Sequence, residues 1–425
     1  MPDTDRHERA PSIPPRWRAR AAAWLAAVAA CALVACGGGG GSSAGVGTGG
    51  TGSFAMGPIT GFGSVVVNGV HYDDSQASVR DDEGDSGSRD DLEIGMVVEV
   101  RGSVSDDGLT GRATSFVRVA EIKGPVTVVD AAGQTFSVFG QSIRVTATTV
   151  FADIAGGLAG LSPGNVVEVY ALRDADGQLA ATRIERKALT VAAYDGDFRV
   201  RGRIEGLSGT APTLRFTVAS VTVTTDATTL VDGPLANDVF VGVRLAKTPA
   251  GDGSYAALRV QVKDRAFDDD VDEAELEGYV SGFVGLDQPF TVAGYPVRLD
   301  AAASFEGGLP GDLANGVRVE VEGTVVSGTL IARKVEFEDE NDDSGGDDGS
   351  EAPFEFDGVA TCVNCGATEG SFSVQGVSLY YDATTRFDNG VTPANLNGRN
   401  VEVKAVAQSG PDGTTFLATR IEPHL

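Results

Sequence analysis

The stretch from Leu276 to Phe337 opens LEGYVSGF (276–283) and continues PFTVAGYPVRLD (289–300), GLPGDLANG (308–316) and VRVEVEGTVVSGTLIARKVEF (317–337). Within it, Val319 and Val321 alternate with Arg318 and Glu320, the period-two pattern of a strand with one buried face. Gly and Asn punctuate the short apolar runs at the spacing of tight turns, and no 3.6-residue apolar period interrupts them. Five or six such strands bury their apolar faces best by curling into a small barrel, which also removes exposed edges.

The rest of the chain repeats this unit. The V-x-V-E-V strand recurs at Val97-Val98-Glu99-Val100, Val166-Val167-Glu168-Val169 and Val401-Glu402-Val403, with a weaker form at Val241-Gly242-Val243-Arg244-Leu245. The intervals of about 70–80 residues are too long for a solenoid repeat and suit a small domain. A glycine precedes the strand at Gly95, Gly164, Gly316 and Gly398. An opening strand carries glycines, as in Gly57-Pro58-Ile59-Thr60-Gly61. Hairpin turns are expected at Asn68-Gly69, Gly140-Gln141, Gly294-Tyr295 and Gln375-Gly376. The last strand ends A-x-R-I-E-like at Ala181–Glu185, Ala332–Glu336 and Ala418–Glu422. The segment between hairpin and fourth strand (Phe151–Ser162, Phe305–Leu313) has room for one helical turn, where an OB-fold carries its helix. The expected fold is therefore all-β: a tandem array of about five small OB-like antiparallel β-barrels behind a disordered, lipidated N-terminus. Expected boundaries are 57–122, 123–190, 197–265, 274–337 and 353–425, with acidic linkers at 266–273 and 338–352.

These tandem motifs resemble the bacterial domain of unknown function 5666, which occurs repeatedly in lipoproteins of Gram-negative bacteria. The resemblance covers nearly all of Gly57 to Pro423. The third copy, Phe198 to Lys263, departs most, lacking both the V-E-V glutamate and the hairpin glycine. The family supplies no catalytic residues to carry over.

The leader sets the expected compartment. Arg16, Arg18 and Arg20 precede an apolar segment, Ala21–Ala35, of signal-peptide length. Leu33-Val34-Ala35-Cys36 resembles the lipobox of bacterial lipoproteins. That resemblance implies a signal peptide over 1–35 and lipidation of Cys36, with several acyl chains giving stable anchoring. Gly37 in place of Asp favours outer-membrane sorting, with the modules facing the periplasm or the cell surface. Residues 36–56 read as a Gly/Ser-rich tether.

Net charge is −27, and residues 1–35 hold five Arg against three acidic residues, so the remainder stands near −29. Such a field repels phosphate backbones, so no nucleic-acid partner is expected. Acidic runs lie at Asp81–Asp85, Asp268–Glu275 and Glu338–Glu351. Read from Glu340, the third places Glu340, Asp342, Ser344 and Glu351 as in an EF-hand loop. Against calcium, the first position is Glu, the eighth is Asp347, and no helical pattern flanks the loop.

Catalysis is not expected. Cys362 and Cys365 stand in a turn without the helix N-terminus a redox pair needs, without a haem-motif His at Gly366, and without a second ligand pair for zinc. In an oxidising periplasm they read as a disulfide. His7 falls in the leader, His424 lies at the extreme C-terminus, and His71 reads as a surface or packing residue. The function these features imply is a non-enzymatic envelope lipoprotein whose barrels act as a binding or spacer module for an envelope protein or glycan. The alternative is a calcium-responsive adhesin or matrix protein with cation-binding acidic linkers.

Overall fold

The computed structural model describes residues 52–263, 265–338, 352–410 and 413–424, which form an all-β body of 31 strands. Cys36 and the calcium candidates Glu340, Asp342, Ser344 and Glu351 lie outside the described residues. The fourth repeat shows the common plan. Its opening strand Glu273–Ser281 pairs antiparallel with Phe290–Val292, which turns into Tyr295–Glu306. That third strand runs parallel to the last, Thr329–Phe337, and Arg318–Val326 closes the ring antiparallel to both the last strand and the opening one. The resulting order, first-second-third-fifth-fourth-first, is that of an OB-like barrel. The first, second and fifth repeats follow it with strands of their own, and the third keeps its outline.

The expected helical turn is a short 3-10 turn at Arg89–Asp91, Gly157–Gly160, Pro310–Asp312 and Pro393–Asn395. Each delivers a leucine (Leu92, Leu161, Leu313, Leu396) as a buried plug at one end of its barrel. Two or three residues later comes the glycine noted in the sequence. Gly95, Gly164, Gly316 and Gly398 all have φ between 78° and 92°. Their amides donate to the carbonyls of Ile59, Val126 and Val280 on the opening strands and of Ala360 just after the fifth one. In the third repeat Asp238, at φ 67°, makes the same bond to Ile204.

All five hairpins turn through two residues of positive φ, the type I′ geometry whose twist matches the flanking strands. The pairs are Asn68-Gly69, Phe139-Gly140, Ala219-Ser220, Ala293-Gly294 and Gln375-Gly376. In the second and fourth repeats the turn therefore lies one residue earlier than the sequence suggests, because Gly takes the second turn position. The third repeat holds Ser220 at φ 69° without a glycine. Ser220→Gly should relieve that strain and stabilise the protein by up to about 1 kcal/mol, read as a rise in the urea midpoint without a change in slope.

The barrels do not stand apart as a string. The opening strand of the first repeat, Ser53–Phe62, pairs parallel with that of the fourth (Met56 with Leu276) and that of the fifth (Phe62 with Phe356). The opening strands of the second and third pair antiparallel (Val200 with Ile122). One apolar core unites the first, fourth and fifth repeats and takes in Tyr170 and Leu172 of the second; another unites the second and third. The acidic segment 266–273 takes part in this packing: Phe267 and Val271 are buried, and the Phe267 ring lies 5.7 Å from Phe54 and 5.0 Å from Tyr295.

Candidate functional site: a polar cleft and charged seams

Each opening strand carries a glycine: Gly57, Gly124, Gly202, Gly278 and Gly358. Its two outward positions, three residues and one residue before that glycine, face a neighbouring repeat. They hold Phe54 and Met56, Glu121 and Lys123, Arg199 and Arg201, Glu275 and Glu277, and Glu355 and Asp357. Charge enters the interior of the protein through these positions.

At the junction of the first three repeats, the run Asp81-Asp82-Glu83 folds onto Arg199, whose guanidinium lies 3.0 Å from Asp81, 3.1 Å from Asp82 and 3.0 Å from Glu83. Arg201 approaches Asp82 at 3.6 Å and Glu121 at 3.9 Å, and Arg173 binds Glu121 at 2.6 Å. Glu83, Glu121, Arg199 and Arg201 are all buried. Burial pushes the Asp82 carboxyl up, but Arg201, Arg199 and Lys263 outweigh it and hold it below the ordinary range. Asp81, Glu83 and Asp85 are close enough to share a cation. Arg199 and Arg244 already fill that role, so this acidic run serves packing.

At the seam of the first and fourth repeats the balance reverses. Burial, with Glu322 and Glu277 nearby, pushes Glu275 up to about 8 even though it is hydrogen-bonded to Glu320. Burial and then Glu275 raise Glu320 as well. A carboxyl raised on folding contributes stability that is full below its ordinary value near 4 and is lost as pH rises through the folded value. The thermal midpoint should therefore fall between pH 6 and pH 9, and Glu320→Gln should flatten that fall; an unchanged profile would refute the assignment.

The hairpin turns of the second, third and fourth repeats face a common cleft of about 1190 Å³. Gly140 and Gln141, Ala219 and Ser220, and Ala293 and Gly294 line it beside Arg173, Lys263 and Arg265. The cations are held from behind, Arg173 and Arg265 by Glu121 and Lys263 by Asp82 at 3.4 Å. Gln141 donates through Nε2 to the Gly177 carbonyl at 3.0 Å, while its Oε1 and the Arg173 Nε are buried without a hydrogen-bond partner.

At the seam of the first and fifth repeats, His71 Nε2 lies 3.4 Å from Glu355 and Nδ1 lies 3.6 Å from Asp357, with Ser64 Oγ 3.3 Å from the same Nδ1. His424 Nδ1 lies 3.2 Å from the other Asp357 oxygen. Both histidines among the described residues thus converge on one carboxylate, an arrangement not readable from positions 71, 357 and 424 apart. Burial, then Glu355, push Asp357 up to about 6. Cys362 and Cys365 are joined by a disulfide. They lie in the strand Thr361–Cys365, not in a turn, and their Cα atoms are 5.6 Å apart. Three strand residues normally advance about 10 Å, so the strand bulges between Cys362 and Asn364 and leaves Val363 exposed.

No protein of curated function matches the chain. Among solved structures, a Drosophila chain described as "Unr CSD456" is similar at 13% identity over 53% of this chain and 96% of that one, with a TM-score of 0.14, too low to carry an argument. The family described as "Domain of unknown function (DUF5666)" matches residues 56–115, 123–185, 201–261, 277–336 and 364–422, one match to each barrel. Those five matches span well over half of the sequence, and the chain belongs to that family, as a tandem array of five copies.

Proposed function

We propose that the protein is a non-enzymatic binding module of the cell envelope, anchored through a lipid on Cys36, and that it takes a polar ligand of the glycan class in the cleft between the second, third and fourth repeats. The observation that carries the reading is the polar wall of that cleft, where Gln141, Ser142 and Gln178 stand beside Arg173, Lys263 and Arg265. A wall of amide, hydroxyl and guanidinium groups suits a ligand bearing hydroxyls or amides better than an apolar one. The Tyr279 ring in the lining adds an apolar face. Packing of the five barrels by their opening strands favours a binding body over an extended spacer.

Soluble protein beginning at Gly37, titrated calorimetrically with peptidoglycan fragments and envelope polysaccharides, should release heat with at least one class, and Gln141→Ala should weaken it. Absence of heat with every glycan, alongside capture of an envelope protein insensitive to Gln141→Ala, would move the partner off the cleft. For the anchor, Cys36→Ala should abolish globomycin-sensitive processing and release the protein from membranes; normal anchoring of that variant would overturn the localisation.

A further inference from the structure

We propose that the seam between the first and fifth repeats is a divalent transition-metal site in which Asp357 bridges two half-sites, His71 with Glu355 on one side and His424 with Glu402 on the other. In each triad the candidate ligand atoms lie within 4.8 Å of one another. A cation bound at about 2.0–2.2 Å draws its ligands to roughly 3.3–3.6 Å apart, so only small rotations close either shell. Asp357 is 6% exposed, and its Oδ1 has no hydrogen-bond donor although His424 Nδ1 stands 3.2 Å away. The approach lacks hydrogen-bond geometry and leaves a buried carboxylate oxygen unpaired, a costly state; a cation between ring nitrogen and oxygen removes the cost. The Oδ2 faces His71 instead, so each oxygen serves one half-site.

The donor set selects the metal class. One imidazole and two carboxylates per half-site suit zinc and its neighbours, whereas calcium and magnesium take oxygen ligands. Three carboxylates meet here, and Lys404, which pairs with Glu355 and lies 3.7 Å from Glu402, balances one of them. A divalent ion competes with that ammonium for the same oxygens. Lys404→Met should therefore tighten metal binding, whereas in a purely ionic seam it would only weaken the packing. The consequence for the fold is a staple: Gly61 pairs with Glu355 and Phe62 with Phe356 at this seam, and metal would tie the first repeat to the fifth. This inference is independent of the cleft.

The test is calorimetry of the full soluble chain, chelator-treated and titrated with zinc chloride, with calcium chloride as control. Expected are about two zinc ions per chain, no comparable heat with calcium, a zinc-dependent rise in thermal midpoint, and roughly tenfold tighter binding in Lys404→Met. Asp357→Asn should lose both ions, and His71→Ala and His424→Ala one each. If Asp357→Asn does not fold, the half-exposed His424→Ala keeps the test open, since it should lose one ion with an unchanged circular dichroism spectrum. Zinc binding untouched by Asp357→Asn or by both histidine variants, equal affinity for calcium, or no zinc binding at all overturns the proposal.

Discussion

Arg199→Met is expected to cost about 3–5 kcal/mol of stability, the range for removing one partner from a buried ion-pair network. Arg199 is 5% exposed and is the common partner of Asp81, Asp82 and Glu83. Without it Arg201 and Lys263 remain beside Asp82 at 3.6 and 3.4 Å, and Arg244 beside Glu83 at 3.5 Å, none with the three-way reach of the lost guanidinium. Arg199→Lys keeps the charge but not the planar fork and should lose an intermediate amount. Burial works against the Asp82 carboxylate, and the surrounding cations more than offset it. A carboxyl lowered on folding contributes stability present above its ordinary value near 4 and lost as pH falls through the folded value. The gap between wild type and Arg199→Met should then be widest near neutral pH and shrink below about pH 4. Denaturant unfolding at both pH values checks it; a gap that is the same at both would show that the side chain matters only through its packing.

Arg199 also marks where the sequence stops being legible. Val319 and Val321, the turn pairs and the glycine before each fourth strand could be read because they obey rules internal to one barrel: alternation, positive φ and a left-handed step. Even the misplaced turns at Gly140 and Gly294 were off by a single residue. The relation between barrels follows no such rule. It resides in the two outward positions of each opening strand, where alternation predicts solvent, and where the fold places Glu121 against Arg201 and Glu355 against His71. The five copies do differ most tellingly there: Phe and Met, Glu and Lys, Arg and Arg, Glu and Glu, Glu and Asp. Positions that vary in charge while their strand is otherwise repeated are candidates for seams, and alignment of the copies on the opening-strand glycine exposes them. The acidic run at Asp81–Glu83 shows the converse hazard, since nothing in a charge run marks it as the counter-charge of a buried arginine. The Asp357 cluster was out of reach because its histidines contribute one residue each from opposite ends of the folded chain.

Gly278→Val is expected to cost about 3 kcal/mol, at the upper end for inserting atoms into packed structure. A Cβ at Gly278 would lie 2.8 Å from the Ala293 Cβ and 2.9 Å from the Ala293 amide nitrogen. That neighbour is turn backbone held at φ 50°, followed by Gly294 at φ 85°, so it has no side chain to swing aside. The equivalent contact at Gly57 is with the Asn68 side chain, 1.9 Å from Oδ1. Asn68 can rotate away, giving up its 3.3 Å hydrogen bond to the Met56 carbonyl. Gly278→Ala should therefore destabilise more than Gly57→Ala, although the raw approach is shorter at Gly57. Gly251→Ala, where the added atom meets nothing within 4 Å, should stay within about 0.5 kcal/mol of wild type. Urea midpoints of the three alanine variants rank them, and a Gly278→Ala indistinguishable from Gly251→Ala would mean the hairpin yields. The same glycine stands beneath the turn in every copy, so the order tests the barrel and not one site. Because Leu276 pairs with Met56 two residues away, a hairpin pushed off Gly278 also strains the seam with the first repeat. Hydrogen exchange should then accelerate in Ser53–Phe62 as well as in the fourth barrel, a coupling that independent beads on a string would not transmit.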